Sequence, residues 1–149
     1  MGAISIVAPP QGDATVDTSG TIRAVSGGAA YGAVALSFAG DAHVVNSGDI
    51  DVSSTAMKYY GAYGIVSASS NGAASADNSG NVTVVSDKYN GFGMQVSGNT
   101  GATATNSGSI SVDAKYAYGV FASAGQGRVL VDNSGMIGAS LQLETKIKV

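Results

Sequence analysis

Asn78-Ser79-Gly80-Asn81-Val82-Thr83-Val84 joins a three-residue corner to a stretch in which apolar and polar side chains alternate. The phrase returns as Asn46-Ser47-Gly48-Asp49-Ile50-Asp51-Val52, Asn106-Ser107-Gly108-Ser109-Ile110-Ser111-Val112 and Asn133-Ser134-Gly135-Met136-Ile137-Gly138-Ala139. A first copy reads Thr18-Ser19-Gly20-Thr21-Ile22-Arg23-Ala24. The glycines Gly20, Gly48, Gly80, Gly108 and Gly135 stand 28, 32, 28 and 27 residues apart. Self-similarity at such a period means one supersecondary unit stacked on copies of itself.

Aligning the five glycines shows what each unit is. Two places on stand Ile22, Ile50, Val82, Ile110 and Ile137, and four places on stand Ala24, Val52, Val84, Val112 and Ala139. Polar residues fill the positions between them until Met136 and Gly138. Period-two alternation of this kind predicts a half-buried strand. Reading backwards from the corner gives Val16/Ala14, Val44/Ala42, Ala76/Ala74, Ala104/Ala102 and Val131/Val129, again wholly apolar. A third alternating piece opens on an aromatic-glycine pair: Tyr31-Gly32, Tyr63-Gly64, Phe92-Gly93 and Tyr118-Gly119. It continues inward through Ala33, Ile65, Met94 and Val120. The expected fold is therefore all-β: a parallel β-helix with three short strands per coil and about five coils, roughly 20–25 Å long at ~4.8 Å per coil.

At the corners, Asn and Gly tolerate positive φ, so Asn-Ser-Gly is expected to reverse the chain without strain. Stacking sets Asn46, Asn78, Asn106 and Asn133 over one another about 4.8 Å apart, where their amides can bond along the axis. With the five corner glycines they form an architectural ladder, and Thr18 in the asparagine column marks an end coil.

The 149-residue chain is read as one domain, with 22 glycines, 11% charged residues, a net charge of −3 and no cysteine. Seven scattered lysines and arginines argue against a nucleic-acid groove. Residues 1–13 are expected to form a capping strand and turn stopped by Pro9-Pro10, 14–139 the repeats, and 140–149 a capping or docking strand of alternating apolar and charged residues. No apolar run approaches the ~18 residues of a membrane helix, and the basic n-region of a secretion signal is missing. An unpaired end coil is an edge that invites end-to-end self-association.

Chemistry-bearing residues are few. Asp49 and Asp51 alternate outward on one strand with carboxyls about 6–7 Å apart, a spacing near that of an acid/base pair. Their column neighbours are Thr21, Arg23, Asn81 and Thr83, so a solvated pair is expected. His43, the one histidine, faces out between Thr15 and Ser75. Asp17 and Asp77, two positions along, are read as too far for direct contact without a turn of the side chain, so no nucleophile, base and acid are expected to converge. No metal-ligand set, phosphate loop or dinucleotide fingerprint is present, so no cofactor, no metal and no catalytic residue is expected. Lys58-Tyr59, Lys88-Tyr89 and Lys115-Tyr116 recur just before the aromatic-glycine corner. Stacked, they line up as a Lys/Tyr strip suited to sugar rings or a protein partner. The column Tyr31, Tyr63, Phe92 and Tyr118 reads as structural ring stacking, because Phe92 carries no hydroxyl.

Asn-Ser-Gly-x-Ile-x-Val followed by Tyr-Gly-[Ile/Val] and a small-residue run, over residues 14–139, resembles the passenger repeats of Gram-negative autotransporter adhesins. The resemblance implies a right-handed parallel β-helix and a non-enzymatic stalk or adhesive segment of a secreted bacterial surface protein, shown outside the outer membrane and facing host glycans or proteins, with no membrane insertion of this segment. Some parallel β-helices are polysaccharide lyases and hydrolases, so the alternatives are a carbohydrate-active enzyme fragment or a self-assembling fibre unit.

Overall fold

The computed structural model describes residues 4–7, 12–56 and 59–141, with the backbone alone for 4–7 and 141. Every element among them is a strand, and every pairing is parallel. Before the Asn-Ser-Gly corners run β2 (Ala14–Thr18), β5 (Ala42–Asn46), β8 (Ala73–Asn78), β10 (Gly101–Asn106) and β12 (Arg128–Asn133), a five-stranded sheet in the order β12-β10-β8-β5-β2. After the corners come β3 (Thr21–Ser26), β6 (Asp49–Ser54), β9 (Asn81–Gly98), β11 (Ser109–Ala124) and β13 (Met136–Leu141). The third stack holds β1 (Ile4–Val7), β4 (Ala30–Ser37), β7 (Ala62–Ser69) and the second halves of β9 and β11. Parallel neighbours reached only through a complete circuit of the chain are the mark of a β-solenoid.

Three differences from expectation have physical causes. Two of the three strands fuse in the later coils, giving an 18-residue β9 and a 16-residue β11. The corner there is short enough for pairing to run around it, broken only by a register shift between Ala114 and Tyr116. The turns β2–β4, β5–β7, β8–β9 and β10–β11 make four complete coils rather than five, because β1 and the β12–β13 pair are partial coils at the two ends. No described glycine or asparagine has positive φ. The corner glycines answer a need for space instead: a Cβ on Gly80 would overlap the carbonyl oxygen of Gly48, and Gly48, Gly108 and Gly135 stand likewise over the coil before. Gly20, in the first coil, has nothing near it.

The interior is the set of columns read from the sequence. Ile50, Ile65, Met94, Ile110, Val44 and Val84 are almost inaccessible, and each such side chain stabilises the fold by about 1.5–3 kcal/mol on burial. Alanines at 14, 42, 74, 76, 102 and 104 keep the coil narrow on the β2 side. The two ends differ. In the first coil Val16 is 2% exposed, whereas in the last Val129 and Val131 are 47% and 49% exposed, so those two inward-column residues are not core. Pro9, Pro10 and the segment 142–149 lie outside the described residues, as does Lys58.

Candidate functional site

The corner between the second and third stacks varies in length. It comprises 27–29, 55–61, 87–90 and 115–116 in successive coils, between strands whose registers match. Those loops carry the Lys-Tyr pairs. Tyr59, Tyr89 and Tyr116 come together as a row, with centroids 6.2 Å apart at 61° and then 6.4 Å apart at 89°. They are not a column in register, since Tyr116 pairs with Asn90 rather than Tyr89. The stagger makes the contacts edge-to-face, a favoured geometry that leaves part of each ring face open. Tyr59 is 77% and Tyr116 48% exposed, and Lys115 places Nζ 5.6 Å from the Tyr116 ring centre. Lys88 is exposed beside Tyr89. Tyr60, 55% exposed, adds a ring that the repeat pattern did not mark.

Tyr59 has φ 66°, the one positive value at a non-glycine among the described residues. For a bulky L-residue this conformation costs about 1–2 kcal/mol. Strain of this kind points toward function when it holds a side chain at the surface.

The other aromatic column behaves differently. Tyr31–Tyr63, Tyr63–Phe92 and Phe92–Tyr118 stack face to face at 4.9, 5.3 and 4.6 Å, within 10° of parallel. Each inner ring spends both faces on its neighbours. Burial, then the Tyr31 and Tyr89 phenols, push the Tyr63 hydroxyl above the ordinary tyrosine value. Alongside lies an apolar groove of about 490 Å³ bordered by Val34, Val66, Leu36 and Gln95. Phe121 adds an edge-on contact to Phe92 and Tyr118. The sequence reading missed Phe121 and the groove; the signal was Val34, Leu36 and Val66 on outward positions.

At the Asn-Ser-Gly corner Thr18 Oγ1 donates to Asn46 Oδ1 at 2.7 Å. From there Asn46, Asn78 and Asn106 each donate through Nδ2 to the Oδ1 of the next, ending at Asn133, at 2.7, 2.8 and 2.7 Å. Each amide also donates to the carbonyl of its own corner glycine, as Asn78 does to Gly80 at 3.1 Å. The amides of Asn46, Asn78 and Asn106 are buried and saturated by the fold, whereas Asn133 is exposed.

The titratable candidates need one correction. His43 is within reach of both neighbours: Nδ1 lies 2.6 Å from Ser75 Oγ and Nε2 3.8 Å from Asp77 Oδ2. The diagonal to the next coil is short enough for the ring to bridge it. The carboxylate nevertheless stands beyond hydrogen-bond range, so it does not clamp the ring as a nucleophile-base-acid relay requires. Both groups are solvated, with side chains 36% and 47% exposed. Asp49 accepts a hydrogen bond from Asn81 at 2.8 Å, and Asp51 borders a shallow depression with Arg23 and Thr83. Among the described residues no three acidic or histidine side chains are grouped to hold a metal ion.

No curated protein and no solved structure matches the chain. The coils themselves do find a family. The model of the BigA third pectate lyase-like domain matches residues 2–137, from the first strand to the last Asn-Ser-Gly repeat, and the chain belongs to that family.

Proposed function

We propose that this domain is a non-enzymatic β-helix segment of a secreted bacterial surface protein, displayed in the manner of an autotransporter passenger. Its contact site is the strip of Tyr59, Tyr89 and Tyr116 flanked by Lys58, Lys88 and Lys115, and its partner is a glycan or protein on a host surface. The observation that carries this reading is the edge-to-face tyrosine row, open on its faces and led by a strained, 77% exposed Tyr59. Rigid tyrosines on a stiff shaft lose little entropy on binding, and the lysines supply donors to acidic or hydroxyl groups.

The test is a glycan and host-matrix binding screen of the folded domain beside the triple variant Tyr59→Ser/Tyr89→Ser/Tyr116→Ser. Binding lost in the variant, with the circular dichroism spectrum kept, is the expected result. Equal binding by both proteins removes the strip as the site, and silence from both leaves a passive shaft.

A carbohydrate-active enzyme is the second reading, favoured by the pectate lyase-like description of the family. Against it stand the solvated Asp49/Asp51 pair and the unclamped His43. Turnover of an acidic polysaccharide that is abolished by Asp49→Asn/Asp51→Asn would reverse the order of the two.

A further inference from the structure

The outer faces of the coil differ in charge. The five-stranded sheet presents Asp17, His43 and Asp77, and the second stack presents Arg23, Asp49 and Asp51. The third stack, over Ala30–Ser37, Ala62–Ser69, 91–98 and 117–124, holds no charged residue at all. It is this face that bears the apolar groove of about 490 Å³. β1 flanks β4 on one side and β9 flanks β7 on the other, so the groove lies within the stack and not at its end.

Val34 and Val66 form the floor. They are 5% and 8% exposed, yet neither belongs to the core cluster that takes in Ala33, Ala35 and Ile65 beside them. They are outward residues sunk between two walls, Tyr31 and Tyr63 on one side and Leu36 and Ala68 on the other. Val34 is in register with Val66, and Val66 with Gln95, so the floor runs along the coil axis and ends on the Gln95 amide. Gln95 is half-buried and has no hydrogen-bond partner among the described residues.

A concavity of this size, mostly apolar with a few placed polar groups, suits a small ligand. The lining says which kind. No charged side chain borders the groove, so a charged ligand would lose its hydration without compensation. Tyr63 gives both ring faces, and Tyr31 one, to stacked neighbours. Ring edges therefore line the groove, not the flat faces on which a sugar ring rests. A flat protein surface would stop on Tyr31, 39% exposed, above the sunken floor. A slender aliphatic chain reaches that floor, and over two coil steps, roughly 10 Å, it arrives at an amide that both donates and accepts.

We infer that the groove binds a neutral aliphatic small molecule, its chain lying along Val34 and Val66 and its hydrogen-bonding end meeting Gln95. The site is separate from the tyrosine strip and does not rest on the function proposed for it.

Octanamide is the probe, titrated into the labelled domain and followed by heteronuclear NMR, with octanoate and methyl glucoside run beside it. Octanamide is expected to shift the β4 and β7 amides saturably at about millimolar concentration or below. Octanoate, with the same chain and a charged end, should bind at least about tenfold more weakly, and methyl glucoside should leave those amides unmoved. Val66→Gln is tolerated by the fold, since Gln95 fills that column one coil on, and is expected to weaken octanamide by about tenfold. Gln95→Val keeps the floor and removes the end group, for a loss of about twofold to tenfold. The triple variant Tyr59→Ser/Tyr89→Ser/Tyr116→Ser should bind octanamide as the parent does, and circular dichroism reports the fold throughout. Absence of a saturable shift overturns the inference. So does octanoate binding as tightly as octanamide, or an octanamide affinity indifferent to Val66→Gln or to Gln95→Val.

Discussion

Asn78→Ala isolates what the asparagine ladder contributes. Asn78 is 2% exposed, accepts from Asn46 at 2.7 Å, and donates to Asn106 at 2.8 Å and to the Gly80 carbonyl at 3.1 Å. Truncation strands one N–H of Asn46 and the Oδ1 of Asn106, on residues only 0% and 1% exposed. A buried polar group left without its partner costs about 1–3 kcal/mol. The Gly80 carbonyl keeps the Ser109 N–H at 3.0 Å, so its lost bond costs only about 0.5–1.5 kcal/mol. The sum is about 2.5–7.5 kcal/mol, against a total stability of roughly 5–15 kcal/mol, and lowers Tm by roughly 5–30 °C. Urea and thermal unfolding followed by circular dichroism read it directly. Asn133→Ala, at the exposed end where water takes over, is expected to cost about 1 kcal/mol or less. Asn78→Thr should fall between, since the Thr18 hydroxyl already shows that a threonine can donate to a ladder oxygen at 2.7 Å. Equal losses for Asn78→Ala and Asn133→Ala would refute the reasoning, because the difference rests on burial alone.

Gly80→Ala drives a methyl into the Gly48 carbonyl and should lose about 1–3 kcal/mol or more in the same unfolding assay, whereas Gly20→Ala, with open space around it, should be neutral or slightly stabilising. Tyr63 is expected to ionise above the ordinary tyrosine value in an ultraviolet titration. Because its folded value is raised above 10.0, its contribution to stability is complete below pH 10 and is lost as the pH climbs through the folded value; a Tyr63→Phe variant should lack that part of the alkaline decline.

The columns were legible because a period-two pattern repeated five times fixes which side chains face inward, and Ile50, Val84 and Ile110 are where it puts them. The corner glycines were read for the wrong reason. Gly after Asn fits either positive φ or close approach, and only the stacked neighbour, the Gly20 carbonyl over Gly48, tells the two apart. His43 and Asp77 were missed because their contact is diagonal between coils, and a diagonal depends on the register of two chain segments 32 residues apart. The Lys-Tyr pairs were visible as a repeat, yet the edge-to-face stagger of Tyr89 and Tyr116 arises from a register shift that sequence spacing does not encode. Val129 and Val131 stand in their column as read, but at 47% and 49% exposed they do not join the core.

The uneven corner, at 27–29, 55–61, 87–90 and 115–116, separates two jobs within one chain. Core columns on either side keep step whether two residues or seven lie between them, so length there is free to drift while the shaft is not. Loops of new length and sequence can therefore be written into that one seam with the scaffold left as it stands, which is where a protein engineer would graft a binding loop.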